Sequence, residues 1–525
     1  MSDTAHSTST PLPARRLRPD SLAVSVAILL VLGIIQRTIG FGRGILFCRW
    51  LTPEELGLWD MAYSFLLFAA PIVVLGLPGS FGRYLERYRQ RGQLRTFLRR
   101  ATIWTMTLVV LAIGAMVLAA PAFSDLIFGR PDQRALTLLL AASLIAVILH
   151  HFLEALFAAL RKFPIVSTMH FCQSMSFAII SLGLLLCWRA ATESIIIAYG
   201  LACLISAVAA LLWTRRDLTD LAAPDEPLSH SEFWPPLVRF AAWVWVINLF
   251  CHLFAIVDRY MLVHYSGLDN DAALALVGLY HSSRIIPLLF ISIADLLAGV
   301  VMPYLSHDWE AGNRERVSDR LNLVLKFTSL GMLAIGVFAL WTAPVLFHVA
   351  FEGRYDAGLA VMPWTLTYCV WYALLIVAQN FIWCAEQTKF GAIPLAVGLV
   401  VNTALNLYTI PAWGLWGAVV ATTLSTALAV AVLYWINHRL GMRIDRGMVW
   451  LSFAPAAMCA GAASGTVMLL ILAAILLFSK TLLTPREREQ IADFTRTHWA
   501  KIAPYLPRLG WHVPKPQAKG VAGQD

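Results

Sequence analysis

The chain has 525 residues and a formal net charge of +9; 59% of its residues are hydrophobic and only 14% are charged. Apolar runs of about 20 residues or more recur along almost the whole sequence, and each is long enough to cross the hydrocarbon core of a bilayer. This composition excludes a soluble enzyme and predicts an all-α polytopic membrane protein.

The apolar runs predict two sets of six membrane helices behind a polar cytoplasmic tail at 1–20. The first set forms an N-lobe over 21–213 and the second a C-lobe over 237–436, joined by a polar cytoplasmic linker at 214–236. In chain order, the predicted helices are 21–47, 56–79, 101–123, 135–160, 165–188, 195–213, 237–264, 276–304, 327–349, 361–384, 391–410 and 414–436.

Most of the 40 Lys and Arg residues share one side of the membrane once the N-terminus is placed in the cytoplasm. Cytoplasmic loops of membrane proteins are enriched in these residues, so the bias predicts a cytoplasmic N-terminus. It also explains the net charge without nucleic acid as a partner. The most basic loop, 83–100, is then a positive-inside anchor, with docking to a cytoplasmic protein or to anionic lipid as the alternative.

The apolar segment 448–478 has basic residues on both sides, so both of its ends are expected in the cytoplasm. It is too long for one upright helix and too short for two full spans. A short hairpin that breaks between Cys459 and Ala462 fits the charges best and raises the count from 12 to 14 spans; one tilted span is the alternative. The basic tail, 479–525, predicts an amphipathic helix on the inner membrane surface.

Three short matches recur in the same order about 220–230 residues apart, which indicates an internal repeat. The pairs are Gly57-Leu58-Trp59 with Gly278-Leu279-Tyr280, Gly129-Arg130-Pro131-Asp132 with Gly353-Arg354-Tyr355-Asp356, and Lys162-Phe163 with Lys389-Phe390. Two six-helix halves of the same orientation imply bundles related by a pseudo-two-fold axis along the membrane normal, with a central cavity between them.

Four stretches make the sequence similar to the Wzx-type polysaccharide flippases, in the superfamily shared with MATE exporters and lipid II flippases. They are LTPEELGLW at 51–59, DRYML at 258–262, GLY at 278–280 and GLWGA at 414–418. The resemblance covers about residues 21–440. It implies a bacterial inner-membrane flippase that moves a polyprenyl-diphosphate-linked oligosaccharide to the outer leaflet for O-antigen or exopolysaccharide synthesis.

Charged residues inside apolar helices are costly, so each predicts a partner or a water-filled cavity. Arg37, Arg259 and Arg284 are candidate ligands for a pyrophosphate, because guanidinium offers paired donors to phosphate oxygens. The repeat places Arg37 opposite Asp258, so a structural ion pair between these two is the alternative for Arg37. Asp258 is correspondingly either an ion-coupling group or that partner.

The predicted helix 276–304 carries a polar stripe that favours a substrate contact. Arg284 and Asp295 are eleven residues apart, nearly three turns, and therefore share a face if the helix is continuous. His281 lies one turn before Arg284, and Pro287 can introduce a kink. We expect His281 and Arg284 to bind substrate and Asp295 to belong to an ion-coupling or gate group.

His150, Glu154 and Arg161 share a face of the predicted helix 135–160. Intramembrane carboxylates beside histidine suit proton relays, so Glu154 and His150 are candidates for ion coupling, with a buried bracing network as the alternative. We expect no metal site and no cofactor. Asn380, Asn402 and Asn406 are expected to form hydrogen bonds between helices.

The motifs of ATP hydrolysis and of common hydrolases are missing from the sequence, so we expect a transporter and not an enzyme. The expected partners are the lipid-linked oligosaccharide, membrane lipids and other polysaccharide-assembly proteins. One alternative is a MATE-like ion-coupled exporter, which would favour carboxylates over the deep arginines found here. A membrane glycan polymerase or ligase is the other, and it would need a large outside loop.

Overall fold

A computed structural model describes residues 22–219, 229–478, 482–483 and 487–488. Eleven helices in these ranges are long and apolar enough to cross a membrane, which confirms the predicted all-α polytopic fold. The predicted N-terminal tail and the predicted amphipathic helix of the C-terminal tail lie outside the described residues. The chain divides into two compact units, 1–249 and 250–525, with the boundary inside a single helix, His230–Tyr265.

The first unit contains eight helices and the start of a ninth. They are α1 (Leu22–Trp50), α2 (Pro53–Val73), α3 (Phe81–Gln90), α4 (Leu94–Leu118), α5 (Ala120–Phe128), α6 (Arg134–Ala159), α7 (Phe163–Cys187), α8 (Thr192–Thr219) and α9 (His230–Tyr265). A single 3₁₀ turn, Pro78–Ser80, precedes α3.

The second unit contains the rest of α9 and nine further helices. They are α10 (Asn270–Arg284), α11 (Pro287–Glu310), α12 (Arg314–Val345), α13 (Asp356–Ala378), α14 (Asn380–Cys384), α15 (Ala392–Trp413), α16 (Leu415–Arg439), α17 (Arg446–Phe453) and α18 (Ala462–Phe478). Every predicted membrane helix has a counterpart here or in the first unit.

The start of α2 shows why the stretch LTPEELGLW is found where it is. Thr52 is the N-cap, since its hydroxyl accepts the backbone N–H of Glu55 at 3.2 Å, and Pro53 occupies the first helical position. The carboxylate of Glu55 then accepts hydrogen bonds from both the N–H and the hydroxyl of Thr192 at 2.7 and 2.5 Å. This stretch therefore fastens the first turn of α2 to the first turn of α8.

The segment between the two predicted lobes is shorter than the 214–236 expected from the sequence. Helix α8 continues to Thr219 and α9 begins at His230. Phe233 and Leu237 are fully buried in a cluster with aromatic residues of α3 and α4, where Phe233 lies 5.9 Å from Phe97 between ring centroids. The start of α9 is consequently part of the core of the first unit.

The internal repeat reappears in the backbone. Left-handed residues stop a helix or turn just before the next span at Gly92 and Gly312, at Gly129 and Gly353, and at Arg161 and Glu386. The members of these pairs are separated by 220, 224 and 225 residues, close to the spacing of the sequence matches. All six residues have φ between +54° and +76°. Few residues adopt this left-handed conformation, so its recurrence at matching places supports a repeat in the two halves.

The predicted short hairpin corresponds to α17, a 3₁₀ segment at Ala454–Ala460, and α18. The chain reverses at Gly461, whose φ of +102° favours glycine, and this lies inside the predicted break. Both flanks of the hairpin reach one side chain of α12: Lys326 Nζ binds Asp445 at 2.5 Å and Glu487 at 2.8 Å. The two ends of the hairpin therefore lie at the same end of α12.

Candidate functional site

Asp258 lies at the centre of a buried polar cluster in the second unit. Its Oδ2 accepts the hydroxyl proton of Thr422 at 2.6 Å, and its Oδ1 accepts the side-chain N–H of Asn406 at 2.9 Å. The hydroxyl of Tyr280 is 3.3 Å from Oδ2. These groups come from α9, α10, α15 and α16, so a carboxylate that is only 3% exposed is held by neutral donors from three other helices.

Two side-chain amide oxygens, from Asn402 and Asn406, also lie close to the carboxylate of Asp258. The side-chain oxygen of Asn402 accepts from Asn406 at 2.8 Å, while the side-chain oxygen of Asn406 is buried and has no donor among the described residues. A carboxylate, two amide oxygens and a hydroxyl are the ligands that hard cations such as Na⁺ prefer. The prediction that Asn402 and Asn406 join helices is confirmed, because they connect α15 to α9 and α16.

Arg284 and Asp295 do not share one helix face. The predicted continuous helix is interrupted, since α10 ends at Arg284 and α11 begins at Pro287, and this break removes the register on which the stripe depended. Arg284 is buried, and its guanidinium carbon lies 5.2 Å from the centre of the Tyr280 ring, whereas Asp295 is exposed. His281 is half-buried on α10. Arg284 lies beside the Asp258 cluster through its contact with Tyr280.

Arg259, next to Asp258 on α9, is 7% exposed. Arg37 in the first unit is half-buried on α1, and its Nη1 donates to the carbonyl of Gly33 in its own helix at 3.2 Å. Both arginines lie inside helices, as predicted. Their roles as phosphate ligands stay predictions.

Arg43 on α1 is a further cation, outside the arginines predicted to bind substrate. Its guanidinium carbon lies 4.0 Å from the centre of the Phe177 ring, in a cluster that includes Tyr63 and Tyr199, whose rings are 5.3 Å apart. Within the described part of the first unit, Arg43 makes no ion pair and no hydrogen bond. Aromatic faces stabilise a guanidinium without consuming its donors, so the N–H groups of Arg43 are available to an anion.

Glu154 connects two helices of the first unit. Its Oε1 lies 3.0 Å from His170 Nε2 on α7, and its Oε2 lies 3.0 Å from His151 Nδ1 on α6. His150 is 3% exposed and its ring centre is 6.0 Å from that of His170. The predicted neighbour Arg161 is not on this face, because α6 ends at Ala159 and Arg161 has a left-handed backbone.

The sequence was also compared with known protein families and structures. Residues 22–309 match the profile of the family described as "Polysaccharide biosynthesis protein". The chain belongs to this family. It is also 20% identical over 424 residues to lipid II flippase MurJ of Bacillus subtilis (strain 168). The aligned region covers 74% of this chain and 77% of that protein.

Solved structures of two transporter classes share the fold. A lipid II flippase MurJ in an inward closed conformation aligns with a TM-score of 0.66 at 13% identity, over 86% of this chain and 98% of that one. An inward-facing multidrug resistance MATE family transporter of the MOP superfamily aligns with a TM-score of 0.63 at 14% identity, over 79% and 98%. The profile match confirms the predicted relation to the polysaccharide biosynthesis family, and the two solved structures confirm the predicted fold.

This polysaccharide biosynthesis family member also carries an apolar groove in its first unit, lined by α4, α6 and α8. The groove has a volume of about 460 Å³, and its lining includes Leu98, Phe152 and Leu153, with Arg95 and Arg99 near the start of α4. The buried hydroxyl of Thr105 in this lining has no partner among the described residues. The groove thus combines an apolar body with two cations from the basic loop.

Proposed function

We propose that this protein flips a polyprenyl-diphosphate-linked oligosaccharide from the inner to the outer leaflet of the bacterial cytoplasmic membrane, for surface polysaccharide synthesis. Membership of the polysaccharide biosynthesis family and similarity to a lipid II flippase support this proposal. The distribution of Lys and Arg supports an N-terminus in the cytoplasm. The protein works by alternating access, with the sugar head passing through the protein while the prenyl tail stays in lipid.

The observation that carries the proposal is the state of Arg43. A cation within a membrane helix is costly unless a partner or a water-filled cavity receives it, and the donors of Arg43 are not used by any carboxylate in the described first unit. A diphosphate offers oxygens that suit the guanidinium fork. Arg37, Arg259, Arg284 and His281 are proposed as further contacts along the path of the head group.

A cation bound at Asp258 is proposed to couple to transport, because the ligands available there are all oxygens. The membrane potential also favours export of an anion, since each charge that crosses 100 mV is worth about 2.3 kcal/mol. A head group with two negative charges therefore gains roughly 4–5 kcal/mol on leaving a negative interior. We therefore propose that the cation mainly helps the empty protein return to its inward-facing conformation, while the membrane potential supplies the energy of export.

Short connections argue against a glycan polymerase or ligase, and Arg43 argues against a MATE-like exporter. On the side opposite the basic loops, the connections between described spans contain between one and five residues, such as Gly414 alone or Gly129–Gln133. A glycan polymerase or ligase needs a larger surface for chemistry on the exported sugar, so we propose that the protein is not an enzyme. A cation that has no acidic partner among the described residues of its unit, as Arg43 is, does not suit a multidrug exporter of cations.

Membrane lipid is proposed to occupy the groove of α4, α6 and α8. An acyl chain fits its apolar body, and Arg95 and Arg99 place positive charge where an anionic headgroup would lie.

The test uses cells that lack the gene and are complemented with variants. Arg43→Ala should abolish surface polysaccharide while protein level in the membrane stays normal, because the diphosphate loses its cation. Arg43→Lys should retain part of the export, since charge is kept and the paired donors are lost. Arg134→Ala, at an exposed position at the start of α6, is the matched control and should export normally. Normal surface polysaccharide with Arg43→Ala would overturn the assignment.

A further inference from the structure

His150, Glu154 and His170 bring three potential metal ligands together in the first unit. One ligand atom from each of them lies within 4.8 Å of the other two. His150 and Glu154 are four residues apart on α6 and therefore share a face, while His170 comes from α7. We propose that these three side chains form a binding site for a divalent transition-metal ion, with Zn²⁺ as the preferred occupant.

The state of His150 is the second observation. Its side chain is 3% exposed, and its Nδ1 is buried with no hydrogen-bond partner among the described residues. A buried polar group without a partner costs free energy, so natural structures nearly always satisfy it. A metal ion bound between His150 and Glu154 provides the missing partner and breaks no existing hydrogen bond of His150.

Glu154 is already positioned as a ligand. His151 holds one carboxylate oxygen at 3.0 Å, which leaves the other oxygen directed at His170, also at 3.0 Å. Ligating carboxylates are commonly oriented by such a second hydrogen bond. A metal ion binds His170 only through a ring nitrogen that carries no proton, so metal binding competes with protonation of His170.

The donor set selects the metal. Two imidazole nitrogens and one carboxylate oxygen suit Zn²⁺ and related first-row ions, whereas Na⁺, Mg²⁺ and Ca²⁺ prefer oxygen alone. This separates the site from the oxygen cluster at Asp258. The side chains of Glu154 and His170 are 28% and 41% exposed, which leaves space for a fourth ligand on the ion. The bound ion would clamp α6 to α7.

The test measures metal on the intact protein. Full-length protein without a histidine tag is placed in lipid nanodiscs, freed of metal with a chelator, and equilibrated with micromolar Zn²⁺. Bound zinc per chain is then measured by mass spectrometry after desalting. We expect one tightly held ion in the wild type and at least a tenfold loss of affinity in His170→Asn and in Glu154→Gln. His438→Asn, at the end of α16, is the control and should bind as the wild type does.

Cobalt provides an independent readout. Co²⁺ in a site with nitrogen and oxygen ligands gives a visible absorption band that should appear in the wild type and be lost in His170→Asn. Thermal unfolding without metal shows whether each variant is folded, and His170 is exposed enough to tolerate the change if Glu154→Gln does not fold. Equal zinc binding by wild type and His170→Asn, or no binding by the wild type at micromolar Zn²⁺, would overturn the proposal.

Discussion

Replacing Asp258 with asparagine separates cation binding from packing. The variant keeps the shape of the side chain, and its oxygen still accepts from Asn406 at the position that is 2.9 Å away in the wild type. Its new N–H₂ group faces Thr422, whose single hydroxyl proton can instead go to the carbonyl of Ala418, 2.8 Å away, so that the hydroxyl oxygen accepts. The hydroxyl of Tyr280 loses an acceptor 3.3 Å away but can donate to Tyr368 at 3.1 Å. The two shorter hydrogen bonds of residue 258 therefore survive the change, while the negative charge does not.

The difference in stability between Asp258→Asn and the wild type should change sign when sodium is added. In sodium-free buffer the wild type buries a carboxylate among neutral donors, which is unfavourable, so Asp258→Asn should unfold at the same or a higher temperature. With Na⁺ at one hundred times its dissociation constant, binding adds about 2.7 kcal/mol to the wild type. The variant has no charge to hold the ion and should gain nothing.

The assay is thermal unfolding of purified protein in nanodiscs, in matched sodium and choline chloride. Asp125→Asn is the control, because this carboxylate is exposed on α5, and it should respond to sodium as the wild type does. If Asp258→Asn shows the same sodium-dependent rise in midpoint as the wild type, Asp258 does not bind the cation.

Two predictions concern the contacts that hold each unit together. Lys326→Met leaves the carboxylates of Asp445 and Glu487 without their cation and should lower the free energy of unfolding by about 3–5 kcal/mol, measured by denaturant titration in detergent. Adding the neutral changes Asp445→Asn and Glu487→Gln should recover most of that loss, and no recovery would contradict an electrostatic cause. Glu55→Ala removes the acceptor of the Thr192 N–H, while the Thr192 hydroxyl can still donate to the backbone carbonyl of residue 55 at 2.8 Å, so the change should cost about 1–3 kcal/mol in the same assay. An unchanged midpoint would show that this contact does not fasten α2 to α8.

The sequence was sufficient for the helices, the repeat and the hairpin, because each leaves a local signal. Apolar length marks a span, and the turn glycines Gly129 and Gly353 recur at matching places because each half needs a left-handed residue there. Gly461 falls inside the predicted break because its φ of +102° is a conformation that favours glycine. Where a proline follows a helix, as at Pro287, the sequence shows that an interruption is available but not that it is used.

The candidate sites were less accessible, because they depend on which helices meet. His150 and Glu154 are visible as a pair on one helix, whereas His170 joins them only through the packing of α7 against α6. Arg43 was visible as a deep charge, but the aromatic cluster that replaces an acidic partner comes from several helices.

The position of Lys326 also determines where the chain can be shortened or fused. The hairpin is closed by two carboxylates, one before α17 and one after α18, so a truncation at the end of α18 removes Glu487 and leaves the buried ammonium with Asp445 alone. Truncations and reporter fusions intended to preserve the second unit should therefore begin after Arg488. A reporter fused directly after α18 would therefore destabilise the membrane protein that it was meant to report on.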